Sequence, residues 1–310
     1  MKLQSTPSEL FFSRNDTQDL RLGDLVTAKQ SHSQPTHSLW GYADDEGIQL
    51  NGGRIGASGG PNHVRKVFYK CTPANNSSVL IHDFGNLTSE AGSLHERHAW
   101  GRKQITQEFA QKRKVITLGG GHDYGYSDAS GFNDFYRGQP RVLINFDAHL
   151  DVRPYINDVA HSGTPFRRVL EEFSQDQLSF FELGIQKQCN SLHHWKWAQE
   201  QGAKIFALTD RHFPWQKIKD ALLPFCGQPL FVSFDIDALA AHQAPGCSQS
   251  WPSGLDLNEV LSFMDFLSEH FSWQGLGIYE VAPSLDVDNI TAKSAALLLH
   301  RFLYPSKEQN

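Results

Sequence analysis

The stretch Arg141-Val-Leu-Ile-Asn-Phe-Asp-Ala-His-Leu-Asp151 decides the fold, because an apolar run leads straight into a group of acidic and imidazole side chains. Its first half, VLINF, is typical of a strand that is buried on both faces of a parallel sheet. Asp147, His149 and Asp151 follow at alternate positions, and alternate side chains of an extended chain point the same way. Three side chains of the kind that bind metals therefore leave one strand end together.

Outward from this stretch, short apolar runs alternate with longer helix-like segments. The predicted strands are Val79–Asp83, Lys114–Leu118, Arg141–Phe146, Leu178–Gly184, Lys204–Leu208, Leu230–Phe234 and Gly275–Val281. The predicted helices are Ser89–Gln111, Gly163–Phe173, Leu192–Gln201, Trp215–Phe225, Asp256–Phe271 and Thr291–Phe302. This alternation predicts an α/β fold, a three-layer α/β/α arrangement with a largely parallel central sheet. Ligands of such sheets collect beyond the carboxyl ends of the strands.

No internal repeat or low-complexity linker divides the 310 residues, so we predict a single domain over residues 1–310. Residues 1–75 are polar, and we expect them to form an irregular N-terminal segment packed on that domain. This segment contains a glycine-rich stretch, residues 51–61, whose glycines match neither a dinucleotide nor a P-loop fingerprint. A plain surface loop and a loop near an active site both remain open for it.

Composition narrows the class of partner. A net charge of −6 without a concentrated basic face argues against nucleic acid and anionic membranes, and favours a small-molecule substrate. The N-terminal residues lack the apolar core of a signal peptide, and no run is long enough to span a bilayer. The four cysteines form no CxxC pair, so we expect free thiols in a cytoplasmic protein. The sequence leaves open whether the protein is a homo-oligomer.

Two further motifs stand at predicted strand ends: Leu118-Gly-Gly-Gly-His122-Asp123 and Ser233-Phe-Asp235-Ile-Asp237. A single aspartate or histidine at such a place is more often a helix cap or a solvated residue. Four carboxylates clustered beyond apolar strands, however, repel one another and are costly to bury unpaired. Cations are their natural neutraliser. The oxygen-rich set favours manganese over zinc, and six ligands suit two ions that share carboxylates and hold a hydroxide.

As a set, these motifs resemble those of the arginase/agmatinase (ureohydrolase) family. The matching patterns are GGGHD (119–123), DAHLD (147–151) and SFDID (233–237), with GRIGASGGP (53–61) and YEVAP (279–283). The resemblance covers most of the chain from about residue 50, and it implies an arginase-like fold with two Mn²⁺ per subunit. It assigns one ion to His122, Asp147, Asp151 and Asp235, and the other to Asp147, His149, Asp235 and Asp237.

The resemblance also gives Glu280 the role of pairing with the cationic amidine or guanidine of the substrate, although a solvated strand-end residue is the alternative. Three positions depart from the arginase pattern: no Asp-Pro follows Asp237, Ser162 replaces a histidine, and Arg153 replaces an asparagine. These departures resemble the family members that hydrolyse N-formimidoyl-L-glutamate to L-glutamate and formamide in histidine degradation. That substrate carries two carboxylates, and a guanidinium binds a carboxylate bidentately.

The substrate-binding role of Arg153 has an alternative, a salt bridge to a neighbour such as Asp158. Arg54 and Arg65 are candidates for the second carboxylate by their proximity to the glycine-rich loop. In the expected mechanism the bridging hydroxide attacks the formimidoyl carbon. Glu280 holds the amidine, Asp151 carries a proton to the departing amine, and His161 exchanges protons with solvent.

Rival interpretations remain at this stage. An arginase, agmatinase or guanidinobutyrase would release urea instead of formamide. A non-catalytic scaffold of the same fold belongs to a different class, but all six presumed ligands are intact. A zinc-dependent deacetylase of related fold fits least, because such enzymes use fewer ligands for one ion.

Overall fold

The computed structural model describes residues 1–27, 34–74, 79–155, 157, 159–209 and 213–306. Within these residues nine strands form one sheet, and every neighbouring pair is parallel. The strands are β1 (Val26–Thr27), β2 (His37–Ala43), β3 (Ile81–Thr88), β4 (Lys114–Leu118), β5 (Arg141–Phe146), β6 (Leu178–Ile185), β7 (Lys204–Ala207), β8 (Pro229–Asp235) and β9 (Ser272–Tyr279). The predicted α/β class and parallel sheet are confirmed.

The α-helices of the described residues are α1 (Leu22–Leu25), α2 (Glu46–Leu50), α3 (Gly60–Phe68), α4 (Leu94–Ala110), α5 (Gly125–Phe135), α6 (Pro165–Phe173), α7 (Leu192–Glu200), α8 (Trp215–Leu222), α9 (Leu257–His270) and α10 (Ile290–Leu303). All six predicted helices are present with shifted ends. In the described part of the chain, no helix is long and apolar enough to cross a membrane.

Helices cover both faces of the sheet. Apolar side chains of α3, α8, α9 and α10 pack with one face, where Ile116, Ile144 and Val232 point. Side chains of α4, α5, α6 and α7 pack with the other face, where Val115 and Leu143 point. Adjacent strand residues thus enter different cores, as the pleat of a strand requires. The three-layer α/β/α prediction is confirmed.

The strand order is β1-β3-β2-β4-β9-β8-β5-β6-β7. The strands β4, β9, β8 and β5 are therefore neighbours, although they lie far apart in sequence. Residues at the last or next-to-last position of these strands form one row across the sheet, with Leu118 beside Ile278, Ile278 beside Phe234, and Phe234 beside Phe146. The motifs that follow these residues emerge side by side at one edge, so the register of the sheet assembles the site.

The expectation of an irregular N-terminal segment is wrong for two stretches. The strand β2 lies inside the sheet between β3 and β4, and α3 packs on one face. The β2 sequence, HSLWGYA, mixes polar, aromatic and glycine residues, so its burial comes from its neighbours instead of from a β-branched run. The single domain over residues 1–310 stays a prediction, and the joining of strands from residue 26 to residue 279 in one sheet supports it.

The helix α5 was also missed. Its sequence, GYSDASGFNDF, is rich in glycine, serine, aspartate and asparagine, which are weak helix formers. Nine of its eleven residues are buried, and it packs closely with α4. Tertiary packing therefore overrides a poor local propensity.

Candidate metal centre

His122 enters the site on the loop of three glycines that follows β4. A Cβ atom on Gly120 would lie 1.7 Å from the carbonyl oxygen of Asp44, and one on Gly119 would lie 2.3 Å from the ring of Tyr279. Only glycine allows backbone and side chains to approach this closely. The prediction that these glycines serve a crowded site agrees with this geometry.

Three carboxylates surround the imidazole of His122. Its Nδ1 lies 3.0 Å from Asp147 Oδ2 and 3.0 Å from Asp151 Oδ2. The same nitrogen lies 3.3 Å from Asp235 Oδ2. The four residues assigned to one ion from the sequence thus come together in the structure.

A second group forms around His149. Its Nδ1 lies 3.3 Å from Asp147 Oδ1 and 3.1 Å from Asp237 Oδ2. Asp147 therefore presents one oxygen to each histidine and joins the two groups. Asp235 is measured close to His122, and its expected bridging role stays a prediction.

The donor set fits metal ions better than it fits internal hydrogen bonds. Nδ1 of His122 and Oδ2 of Asp147 are buried and have no hydrogen-bond partner, although they lie close together. Ligand atoms from His122, Asp147 and Asp235 converge, as do those from Asp147, His149 and Asp237. Buried polar atoms are nearly always satisfied in folded proteins, so this convergence makes the two groups a candidate site for cations. Carboxylate oxygens with imidazole nitrogens suit Mn²⁺.

The electrostatics agree with this interpretation. Burial, then repulsion from Asp237 and Asp147, raises the pKa of Asp235 well above its usual range. Burial also raises the pKa of Asp237, and repulsion from Asp147 adds to the shift. Burial lowers the pKa of His122, but its carboxylate neighbours outweigh burial and raise it overall. Excess negative charge at a buried site is what divalent cations neutralise.

The opposite edge of the His122 ring is held by a residue that the sequence interpretation missed. Nε2 of His122 lies 2.9 Å from Oγ of Ser233, and the ring stacks on Tyr279 and contacts Phe166 edge-on. Ser233 stands two residues before Asp235, so the alternation of strand side chains was an available signal. Partners of this kind fix the orientation of a ligating imidazole.

Glu280 and Asp151 carry backbone strain at the site. Glu280 has a φ of 67° and Asp151 a φ of 47°, a region that non-glycine residues rarely occupy. Oε1 of Glu280 accepts a hydrogen bond of 3.0 Å from the backbone N–H of His122. Burial, then repulsion from Asp235, raises the pKa of Glu280 well above its usual range. Such strain is concentrated at functional sites.

A cavity of about 260 Å³ opens beside these residues. His149, Asp151, Asp235, Asp237 and Glu280 line one part of it. Arg153 and Ser162 also line it, together with Asn51, Gly52 and Gly53 of the glycine-rich stretch. That stretch therefore lies next to the site, which decides between its two alternatives.

Arg153 contacts Asn51, a residue that the sequence interpretation also missed. Nη1 of Arg153 donates to Oδ1 of Asn51 over 3.1 Å, and Nδ2 of Asn51 donates to Oγ of Ser162 over 3.0 Å. Two of the three departures from the arginase pattern, Arg153 and Ser162, thus share one partner. Asp158, the alternative partner of Arg153, lies outside the described residues.

The two other candidate arginines have structural partners. Arg54 donates to the backbone oxygens of Ser248 and Cys247 over 2.9 and 3.1 Å, and so fixes the loop after β8. Arg65 is fully buried and forms a two-pronged ion pair with Asp83. Arg65 is therefore not accessible to a substrate, and the suggestion that it binds one is wrong.

His161 is 2% exposed, and its Nδ1 accepts a hydrogen bond from the backbone of Gly163. Burial, then the nearby Arg153, lowers the pKa of the imidazole. The neighbouring Ser162, not His161, is among the described residues that line the cavity. Its role in exchanging protons with solvent stays a prediction.

Comparison with known proteins places this geometry in a family. The arginase family model matches residues 38–304. Formimidoylglutamase from Staphylococcus carnosus is 32% identical over 294 residues, which cover 93% of this chain and 92% of that protein. Formimidoylglutamase from Clostridium tetani is 31% identical over 270 residues, which cover 84% and 79%.

Solved structures agree. Formiminoglutamase from Trypanosoma cruzi, crystallised with Mn²⁺, superposes with a TM-score of 0.82 at 27% identity and covers 92% of this chain and 97% of its own. Formimidoylglutamase from Bacillus subtilis has a TM-score of 0.82 at 23% identity, covers 94% and 93%, and supports the fold alone. The arginase-like fold and the predicted resemblance are confirmed. With four neighbouring strands of one parallel sheet delivering the family's motifs to one edge, this chain belongs to the arginase family of hydrolases.

Proposed function

We propose that this protein hydrolyses N-formimidoyl-L-glutamate to L-glutamate and formamide, as a step of histidine degradation, with two Mn²⁺ per subunit. The observation that carries the proposal is that the buried Asp147 joins two carboxylate–imidazole groups. Other members of these groups, Asp151, His149 and Asp237, line a cavity that Arg153 also lines. The names of the relatives support the same substrate. The cytoplasmic location stays a prediction.

The residues that would hold the ions are the two groups described above. His122, Asp147, Asp151 and Asp235 form one, and Asp147, His149 and Asp237 form the other, with Asp235 shared in our proposal. When bound, two adjacent divalent cations lower the pKa of water, so that a hydroxide nucleophile is available at neutral pH.

Glu280 binds the amidine end of the substrate in this proposal. Its carboxylate lines the cavity, and the backbone N–H of His122 holds one of its oxygens. A protonated amidine offers two parallel N–H donors, which match a carboxylate. Glu280 thereby orients the formimidoyl carbon toward the aspartates, and orientation alone lowers the barrier substantially.

In this proposal Asp151 moves the proton that the reaction requires. Water adds to the formimidoyl carbon, the bond from that carbon to the glutamate nitrogen breaks, and this nitrogen takes up a proton. Asp151 lines the cavity and is partly exposed, unlike the buried Asp147. A carboxylate within hydrogen-bond reach of the attacking water can accept its proton and deliver it to the leaving nitrogen.

Arg153 supplies the positive charge for one substrate carboxylate. It is exposed, it lines the cavity beside His149 and Asp151, and Asn51 orients it. Arginine and agmatine bring a cationic guanidinium to this site and carry fewer carboxylates than formimidoylglutamate. The proposed site therefore favours a substrate with two carboxylates over the substrates of a urea-releasing enzyme.

The test uses the manganese-loaded protein with formimidoylglutamate, arginine and agmatine in parallel reactions. Formamide release from formimidoylglutamate and no urea from the other two is the expected result. Glu280→Gln and the chelated, metal-free protein are the controls, and both should be inactive. Urea release, or no turnover of formimidoylglutamate at full manganese occupancy, overturns the proposal.

A further inference from the structure

A buried carboxylate behind the metal centre has no role in the reaction described so far. Asp128 lies on α5 and is fully buried. It accepts hydrogen bonds from three hydroxyl groups: Tyr42 over 2.5 Å, Thr117 over 2.6 Å, and Tyr279. Among the described residues, no arginine or lysine forms a salt bridge with it.

Holding a carboxylate there has a cost. Burial raises the pKa of Asp128 to about 6, and the hydrogen bonds from Thr117, Tyr279 and Tyr42 act against that shift. A hydrophobic residue would fill the same space without desolvating a charge. Because hydrogen bonds to a charged acceptor are strong and directional, a buried carboxylate fixes its donors more firmly than a neutral group does.

One of these donors contacts a proposed metal ligand. The ring of Tyr279 stacks on the ring of His122, with centroids 4.8 Å apart and planes 28° apart. Tyr279 sits in a slot that two glycines create. A Cβ atom on Gly277 would lie 2.1 Å from its hydroxyl, and one on Gly119 would lie 2.3 Å from its ring. The ring is therefore fixed at its hydroxyl end by Asp128 and along its edge by this slot.

We propose that Asp128 is a positioning residue for the metal centre, which it orders through the hydroxyl of Tyr279 and the ring that stacks on His122. The contact also reaches Glu280, since this strained residue follows Tyr279 directly and hydrogen-bonds the backbone of His122. The inference rests on the proposed function in one respect, namely that His122 binds manganese.

The chain offers a matched control in Tyr42. Its hydroxyl donates to the same carboxylate, and Tyr42 is 1% exposed, as deeply buried as Tyr279. Its ring, however, stacks on Tyr124, with centroids 4.2 Å apart, and not on His122. Tyr42→Phe and Tyr279→Phe each remove one hydroxyl from Asp128, but only the second acts on the ring that contacts His122.

The experiment measures Mn²⁺ affinity by titration with electron paramagnetic resonance of the free ion, together with the Tm of each metal-free protein. Both variants should lower the Tm to a similar extent. Tyr279→Phe should weaken Mn²⁺ binding by ~10-fold, as is typical when a partner of a ligating histidine is removed, whereas Tyr42→Phe should leave it within about twofold. Asp128→Asn should resemble Tyr279→Phe.

Equal losses of Mn²⁺ affinity in the two tyrosine variants would assign Asp128 a purely structural role and overturn the inference. Unchanged affinity in Tyr279→Phe would also overturn it. If Asp128→Asn fails to fold, the tyrosine pair decides the question alone. An unmodified protein that binds Mn²⁺ but leaves formimidoylglutamate intact refutes the proposed function and not this inference. Absence of Mn²⁺ binding refutes both.

Discussion

Arg65 and Asp83 are buried as deeply as the proposed metal ligands, yet their surroundings differ. Nε and Nη2 of Arg65 donate to the two oxygens of Asp83 over 3.0 and 2.8 Å. Tyr69 and Thr6 donate to the same carboxylate over 2.6 and 2.7 Å. The remaining Nη1 of Arg65 donates to Asn86 over 2.6 Å. The protein itself satisfies every group of this pair.

The candidate metal centre shows the opposite pattern. Its carboxylates face one another, Oδ2 of Asp147 and Nδ1 of His122 lack hydrogen-bond partners, and burial and repulsion raise the pKa of Asp235. A buried charged group that the protein satisfies completely holds the fold together. A buried charged group that lacks partners within the protein is a candidate site for a bound ion. Substitutions can separate these two cases.

The largest expected effect on activity is that of Asp235→Asn in the candidate metal centre. Manganese content should fall, and formamide release should drop by roughly 10³-fold or more, since residues that act as one unit lose most activity together. The Tm of the metal-free protein should stay equal or rise, because one of several repelling carboxylates is removed. Metal analysis, kinetics and thermal unfolding measure these three quantities. Full manganese occupancy with full activity would contradict the assignment.

For the buried ion pair of Arg65 and Asp83 we expect the reverse, a loss of stability without a loss of metal binding. Arg65→Met leaves Asp83 buried without its cation, which should reduce the free energy of unfolding by about 3–5 kcal/mol. The Mn²⁺ affinity of the folded protein should not change. Arg137→Met is the control, because that arginine is 57% exposed and pairs with Asp134 at the surface; the control should cost under about 1 kcal/mol. Chemical denaturation measures both. A stable Arg65→Met protein with weak metal binding would remove the distinction.

Arg153 is intermediate between these two cases. Its guanidinium has a hydrogen-bond partner in Asn51, but this partner is neutral and does not balance its charge. Loss of a charge-assisted hydrogen bond costs about 1.5–3 kcal/mol, so Arg153→Met should raise the KM for formimidoylglutamate by ~10- to 100-fold. The kcat should change little, because a contact to a carboxylate that takes no part in the reaction stabilises substrate and transition state alike. Asn51→Ala should shift the KM in the same direction by less. An unchanged KM in Arg153→Met would refute the role of Arg153 in substrate binding.

The smallest effect is expected for His161→Ala. The imidazole is almost fully buried, and burial lowers its pKa. If it exchanges protons with solvent, kcat should fall, but by less than the ~10²-fold that a direct general acid or base contributes. Wild-type kinetics across the pH range would remove His161 from the mechanism.

The local sequence was sufficient to predict a strand wherever its apolar, β-branched run is continuous. Lys114–Leu118 and Arg141–Phe146 were predicted with their observed bounds, because apolar, β-branched strands of a parallel sheet stand out. The strand β2 and the helix α5 were missed, since neither has the residues that favour its structure. Their conformation depends on neighbours that are distant in sequence, and local patterns do not contain that information.

The residues of the site also divide into those that local spacing predicts and those whose partners are distant in sequence. The alternate spacing of Asp147, His149 and Asp151 predicted that these residues lie together at the site. The motif SFDID predicted the same for Asp235 and Asp237. The interpretation of Arg65 failed because a charged residue looks the same in sequence whether its partner is a substrate or a distant aspartate. Asn51 and Asp128 were missed for the same reason, since each acts on residues more than a hundred positions away.

The place of β9 in the sheet bears on how the molecule forms during synthesis. It is the last described strand along the chain, yet it alone joins β4 to β8. Until residues 272–279 have been synthesised, nothing joins β4 to β8, so any sheet that forms earlier is divided there and has two unpaired edges open to aggregation. Such non-local closure is slow. Glu280 follows β9 directly, so the proposed substrate site is completed only when β9 joins the two parts of the sheet.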